Sequence, residues 1–184
     1  REGTDASAED MSDVLVVAGE PSGDRAASRV VAELEARCFG LVGPASEAAG
    51  AEACARTTRA AALGVFDVAS RAASVLAAMR AVRRAVVRRR PRVALLVNYT
   101  EFNARLLGFL RARGVRVVWY AAPQVWAWRP GRARAIARGV DAMAVVLPFE
   151  EALWRARGAD ARYVGHPSME IARLDRASAR ALLG

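Results

Sequence analysis

The chain has 184 residues and a formal charge of +9, with 28 basic against 19 acidic side chains. That length suits one ordinary domain and excludes a large multidomain machine, while 54% hydrophobic and 26% charged residues exclude wholesale disorder. The sequence contains no lysine, so all 28 basic residues are arginine, and an excess of this size attracts phosphate-bearing partners such as nucleic acid, anionic lipid headgroups or nucleotide substrates.

Arg1 to Ser12 are polar and read as a flexible tail without the order of a signal peptide. From Asp13 the chain alternates short β-branched runs with longer Ala/Arg/Leu segments. Val14 to Ala18 predicts a buried strand, Gly19 to Asp24 a loop, and Arg25 to Arg37 a helix with apolar Val30, Val31 and Leu34. Phe39 to Val42 reads as a second strand and Pro44 to Gly50 as a short helix ended by glycine. Ser70 to Arg90 is the longest helical stretch, with Val75, Met79, Val82 and Val86 on one stripe and Pro91 as its stop.

Beyond Pro91 the pattern predicts strands at Val93 to Val97, Val115 to Tyr120, Ala142 to Leu147 and Arg162 to Val164. Helices are expected between them, at Phe102 to Arg113, Gly131 to Arg138 and Phe149 to Arg157. Strands that are continuous apolar runs separated by helices imply an α/β fold with a doubly wound parallel sheet. In such sheets ligands sit beyond the carboxyl ends of the strands. The strand exits are also where the distinctive residues cluster: Gly19 to Asp24, Asn98 to Asn103, Ala122 to Arg129, Pro148 to Glu150, and Gly165 to Pro167.

Glu20, Ser22, Gly23 and Asp24 belong to a Gly-Glu-Pro-Ser-Gly-Asp turn whose helix start can hold a phosphate or hydroxyl through free N–H groups. The same turn reads equally as a plain helix start capped by Ser22 or Asp24. It matches neither the phosphate loop nor the dinucleotide glycine pattern. Gln124, Trp126, Trp128 and Arg129 combine aromatic faces, which stack on sugars or bases, with a guanidinium, which binds phosphate bidentately. The alternative is a tryptophan pair wedged into a domain interface. The arginines of the long helix, Arg80 to Arg90, read first as a solvated face and second as a strip facing membrane or nucleic acid. His166 suits a hydroxyl or phosphate, or a structural place. It is the sole histidine, and Cys38 and Cys54 have no metal-ligand spacing, so neither a metal nor another cofactor is expected and a reducing cytoplasm is the default. No apolar run approaches the ~18 residues that span a bilayer.

Taken in order, Val17 to Asp24, Gly43-Pro44, Phe102-Asn103, Pro123 to Arg129, Pro148 to Glu150 and Val164 to Pro167 resemble the lipid-A-disaccharide synthases. The resemblance runs from about Val14 to the C-terminus. It implies a Rossmann-like fold as the N-terminal, acceptor-side domain of a GT-B type glycosyltransferase, over residues 13–169. Residues 170–184 would then form a helix leading to a C-terminal donor domain that is missing here.

The implied reaction is an inverting transfer of diacylglucosamine from its UDP-linked donor to the hydroxyl of diacylglucosamine 1-phosphate, in the cytoplasm at the inner membrane. An anionic membrane surface and a separate donor-domain chain are the further partners implied, and no nucleic acid. The family's Ile-Asp-x-Pro-Asp-Phe-Asn appears as Val97-Asn98-Tyr99-Thr100-Glu101-Phe102-Asn103, so the expected base falls on Asn98, an amide without useful basicity. Glu101 is the nearest carboxylate, but if Thr100 caps the next helix, Glu101 lies in its first turn and is a weakened base. Asp67 stands where the family has glutamate. The chain alone is therefore expected to be inactive, the alternative being a non-catalytic glycolipid- or membrane-binding module that keeps the fold.

Overall fold

The computed structural model of the protein describes residues 13–56, 65–124, 130–170 and Arg180. Of the expected tail and C-terminal helix, only Glu170 and Arg180 fall within them. The elements in chain order are β1 (Asp13–Ala18), α1 (Pro21–Glu33), β2 (Arg37–Val42), α2 (Pro44–Ala48), β3 (Glu52–Arg56), α3 (Val65–Arg89), β4 (Val93–Val97) and α4 (Thr100–Arg111). After them come β5 (Arg116–Tyr120), a 3-10 turn at Pro130–Arg132, α5 (Ala133–Gly139), β6 (Ala142–Val145), α6 (Pro148–Arg155), β7 (Ala161–Tyr163) and a second 3-10 turn at Pro167–Glu170.

The strands form one seven-stranded sheet in the order β3-β2-β1-β4-β5-β6-β7, and every described pairing is parallel. Alternate residues of β1 feed the two faces. Leu15 and Val17 join Phe39, Met79, Val82, Leu96, Phe102, Leu106 and Trp119 beneath α3, α4 and α5. Val14, Val16 and Ala18 join Ala26, Ala27, Val31, Cys38 and Val97 beneath α1. This is the expected doubly wound, Rossmann-like arrangement. Strand order reverses between β1 and β4, and there the crossovers leave in opposite directions and open a crevice.

The structure moves several expected boundaries. Helix α1 begins at Pro21, because a proline at the first helical position lacks only an N–H that would go unpaired there. Neither Ser22 nor Asp24 is its cap; the N-cap is Glu20, whose side chain makes no capping hydrogen bond to the helix. Likewise Thr100 is the first residue of α4, and its N-cap is Tyr99 in the left-handed region. Helix α3 ends one residue early, since Arg90 takes φ 48° with its N–H on the Val86 carbonyl, and Pro91 follows.

Strand β3 was not anticipated. Its sequence, Glu-Ala-Cys-Ala-Arg, lacks β-branched and aromatic residues, and it forms because β2 offers an open edge. A charge cluster secures that edge at the amino ends of the strands. Arg89 Nε meets Asp13 Oδ2 at 2.9 Å, Arg89 Nη1 meets Glu52 Oε2 at 2.5 Å, and Arg37 holds the other Asp13 oxygen at 3.1 Å. The Arg89 guanidinium also lies 4.3 Å from the Phe39 ring centroid. Arg89 is thus a structural staple, while Arg80, Arg83, Arg84, Arg88 and Arg90 are exposed, as a solvated face requires.

Candidate functional site

Ala18 lies opposite Val97 in the β1/β4 pairing, so Gly19 and Asn98 leave the sheet at one level, on either side of the reversal point. A cleft of about 640 Å³ opens there, lined among others by Glu20, Asn98, Glu101, Gln124, Arg132 and His166. An adjoining hollow of about 250 Å³ shares Asn98, Ala121, Val146 and His166 with it, and adds Ser22, Gly23, Arg25 and Arg29. The carboxyl edge therefore brings together residues from the exits of β1, β4, β5 and β6 and from the segment after β7.

Three residues at this edge hold left-handed backbone without being glycine: Asn98 at φ 52°, Tyr99 at φ 39° and Ala121 at φ 54°. Such conformations cost energy and persist where the surroundings impose them. Asn98 is fixed by its N–H on the Tyr120 carbonyl at 3.1 Å, and by the Asn103 amide, which donates to the Asn98 carbonyl at 2.8 Å. Asn103 is fully buried, so it shapes the turn from beneath the cleft. The Asn98 Nδ2 lies 3.5 Å from Glu20 Oε2, and Arg132 Nη1 donates to Glu101 Oε1 at 2.6 Å.

Tyr99 stacks on Phe102 with ring centroids 5.2 Å apart. Burial, and then the Glu20 carboxylate, push its phenol above the ordinary range. Its ring occupies the space that a Cβ on Gly19 would need, 2.0 Å from Tyr99 Cδ1. Gly19→Ala should therefore displace the ring and lower stability by about 1–3 kcal/mol, as overpacking does. The double variant with Tyr99→Ala should recover most of that loss in chemical denaturation.

Tyr99 and Glu101 also line a second feature, an apolar groove of about 600 Å³ between α3 and α4. Val75, Leu76, Met79 and Phe102 form its wall, with Arg83 and Arg105 beside them. Leu76 is 48% exposed in it. Polar cleft and apolar groove thus meet at one turn.

Asp24 requires a correction. Expected to bind substrate, it is 3% exposed, and its carboxylate accepts the N–H groups of Gly43 and Ala45 at 2.9 Å each and of Ser46 at 3.2 Å. It tethers the start of α2 to α1. Glu150 is also structural, since its buried carboxylate accepts the Leu147 N–H at 3.2 Å. Gln124 and His166 are exposed at the cleft, Ser22 is exposed at the adjoining hollow, and Gly23 is buried in the first turn of α1. Asp67 falls in the first turn of α3. Trp126, Trp128 and Arg129 lie outside the described residues.

The family model described as lipid-A-disaccharide synthetase (LpxB) matches residues 14–183. The chain belongs to the lipid-A-disaccharide synthase family. It is 44% identical over 162 residues to the lipid-A-disaccharide synthase of Anaeromyxobacter sp. (strain K), covering 85% of this chain and 42% of that protein. The synthase of Myxococcus xanthus (strain DK1622) is 43% identical with the same coverage. That of Geobacter sulfurreducens is 36% identical over 159 residues, covering 84% of this chain and 41% of the relative. The chain thus spans less than half the length of the synthases it matches. Its sheet is the Rossmann-like unit of the GT-B architecture of this family. Among the described residues no helix is long and apolar enough to cross a membrane, and no three His, Cys, Asp or Glu side chains converge to hold a metal ion.

Arg132 and Tyr99 are the site residues that sequence reasoning did not single out. Arg132 had a signal, being one of the arginines after the tryptophan pair. Tyr99 had none, because the glycine it covers is 80 positions away in sequence and meets it only through the β1/β4 pairing.

Proposed function

We propose that this chain is the acceptor-side part of a lipid-A-disaccharide-synthase-type glycosyltransferase, and that its cleft holds diacylglucosamine 1-phosphate for transfer from UDP-diacylglucosamine. The observation that carries the reading is the junction of a polar cleft with an apolar groove at Tyr99 to Glu101. An acylated sugar phosphate needs both: hydroxyl and phosphate groups require polar partners, and acyl chains gain by leaving water. The exposed arginines of α3 suit an anionic membrane surface, which supports a reading in which the chain works at the cytoplasmic face of the inner membrane.

The chain alone, given both lipids, should form no disaccharide. Joined to the part of the Anaeromyxobacter synthase that it does not cover, it should form disaccharide, and product from the 184-residue chain alone would refute the division of labour.

A second reading, a non-catalytic glycolipid-binding module, is favoured by one observation: an amide stands at position 98. It requires the joined protein to bind the acceptor but make no product, with no gain on Asn98→Asp.

A further inference from the structure

Among the described residues two carboxylates line the cleft, and they differ in what holds them. Glu101 is engaged by the Arg132 guanidinium at 2.6 Å, a charge-assisted bond that ties up an oxygen a base would use. Glu20 stands at the exit of β1 as the N-cap of α1, exposed to the cleft. Among the described residues no arginine pairs with it, and its carboxylate meets one hydrogen-bond donor, Nδ2 of Asn98 at 3.5 Å.

Asn98 has no basicity of its own but is built to serve a neighbour. Its left-handed backbone, with φ 52°, brings the amide across the reversal point toward Glu20. Two hydrogen bonds hold that backbone: its N–H goes to the Tyr120 carbonyl, and its carbonyl accepts from Asn103, which is itself fully buried. With Nδ2 directed at Glu20, the Asn98 Oδ1 has no hydrogen-bond partner among the described residues and is available to a substrate hydroxyl. The amide thus offers Glu20 a hydrogen-bond donor where an aspartate would set a second acceptor-only carboxylate beside it.

We propose that Glu20 is the general base of this chain and that Asn98 is the residue that positions it. The proposal rests on the acceptor-side reading above. In the transfer, a Glu20 carboxylate oxygen takes the proton of the acceptor hydroxyl as that oxygen forms its bond to C1 of the donor sugar. The bond from C1 to the diphosphate oxygen breaks, and its electron pair leaves with UDP. The proton then passes from Glu20 to water.

The test uses the chain joined to the uncovered part of the Anaeromyxobacter synthase, with disaccharide formation followed from both lipid substrates. The parent should be active. Glu20→Gln should lower kcat by about 10²–10⁴-fold, the span of a lost general base, with little change in acceptor KM. Asn98→Ala should lower kcat less, and should cause no further loss in the Glu20→Gln background, where the group it positions is already gone.

Because Glu20 is exposed, its variant should keep the parent's circular dichroism and melting curve. Activity of Glu20→Gln within about threefold of the parent, far inside the range for a general base, overturns the proposal. So does a parent that makes no product while Asn98→Asp does, a result that leaves the acceptor-side reading standing. If neither makes product under conditions where the intact synthase does, the acceptor-side reading falls and the proposal with it.

Discussion

Asp24→Ala should cost the fold about 3–5 kcal/mol, at the upper end of single-substitution effects. The carboxylate is buried and accepts three backbone N–H groups, from Gly43, Ala45 and Ser46. Removing it leaves those donors facing a methyl group in a place water does not reach, and each stranded donor costs about 1–3 kcal/mol. The three do not add fully, because α2 is short and can loosen to find solvent. Asp24→Asn keeps one acceptor oxygen but turns an amide N–H toward backbone donors, so it should lose about half as much. Chemical denaturation of the two variants beside the parent measures both values. A loss below about 1 kcal/mol for the alanine variant would show that the bonds to α2 are not what fixes this residue.

Gly40→Ala should be at least as damaging, through backbone contact alone. Gly40 pairs with Val16 in the centre of the sheet, and a Cβ on it would fall 1.8 Å from the Val16 carbonyl oxygen. Neither partner is a flexible side-chain tip, so relief requires β1 and β2 to separate and forfeit ladder hydrogen bonds beside the main core. A loss above about 3 kcal/mol, or failure to accumulate soluble protein, is expected. Gly108 in α4 supplies the control, since nothing lies within 4 Å of a Cβ placed there. Gly108→Ala should raise stability by about 0.5–1 kcal/mol by removing backbone entropy from the unfolded chain. Opposite signs for the two glycines would show that contact, rather than glycine loss as such, sets the result.

These residues also show how far the sequence could be read. The buried strands β1, β4, β5 and β6 were legible because a sheet covered on both faces needs continuous apolar runs, and Val14 to Ala18 or Val93 to Val97 can be little else. The carboxyl-edge location followed from the same inference. Strand β3 was not legible, because what makes Glu52 to Arg56 extended is the free edge of β2 and the Arg89 charge cluster, not the residues' own preference. Asp24 was misread because its partners are 19 to 22 positions away; locally it is a cap candidate, and only the fold shows which helix it serves. The Glu20–Asn98 contact spans 78 positions and the Glu101–Arg132 bond 31. Motif order placed Glu20, Asn98 and Glu101 at one edge, but only the fold showed that Glu20 meets Asn98 and that Glu101 meets Arg132.

The carboxyl edge is proposed to bind an acylated sugar phosphate. Hydrogen–deuterium exchange on the 184-residue chain, with and without micellar diacylglucosamine 1-phosphate, tests it most directly. Slowed exchange is expected at Gly19 to Gly23, Asn98 to Asn103 and Ala121 to Gln124, together with the α3 turns around Val75 to Met79 that line the groove. Unchanged exchange at the three strand exits, or protection confined to the exposed arginines of α3, would contradict it.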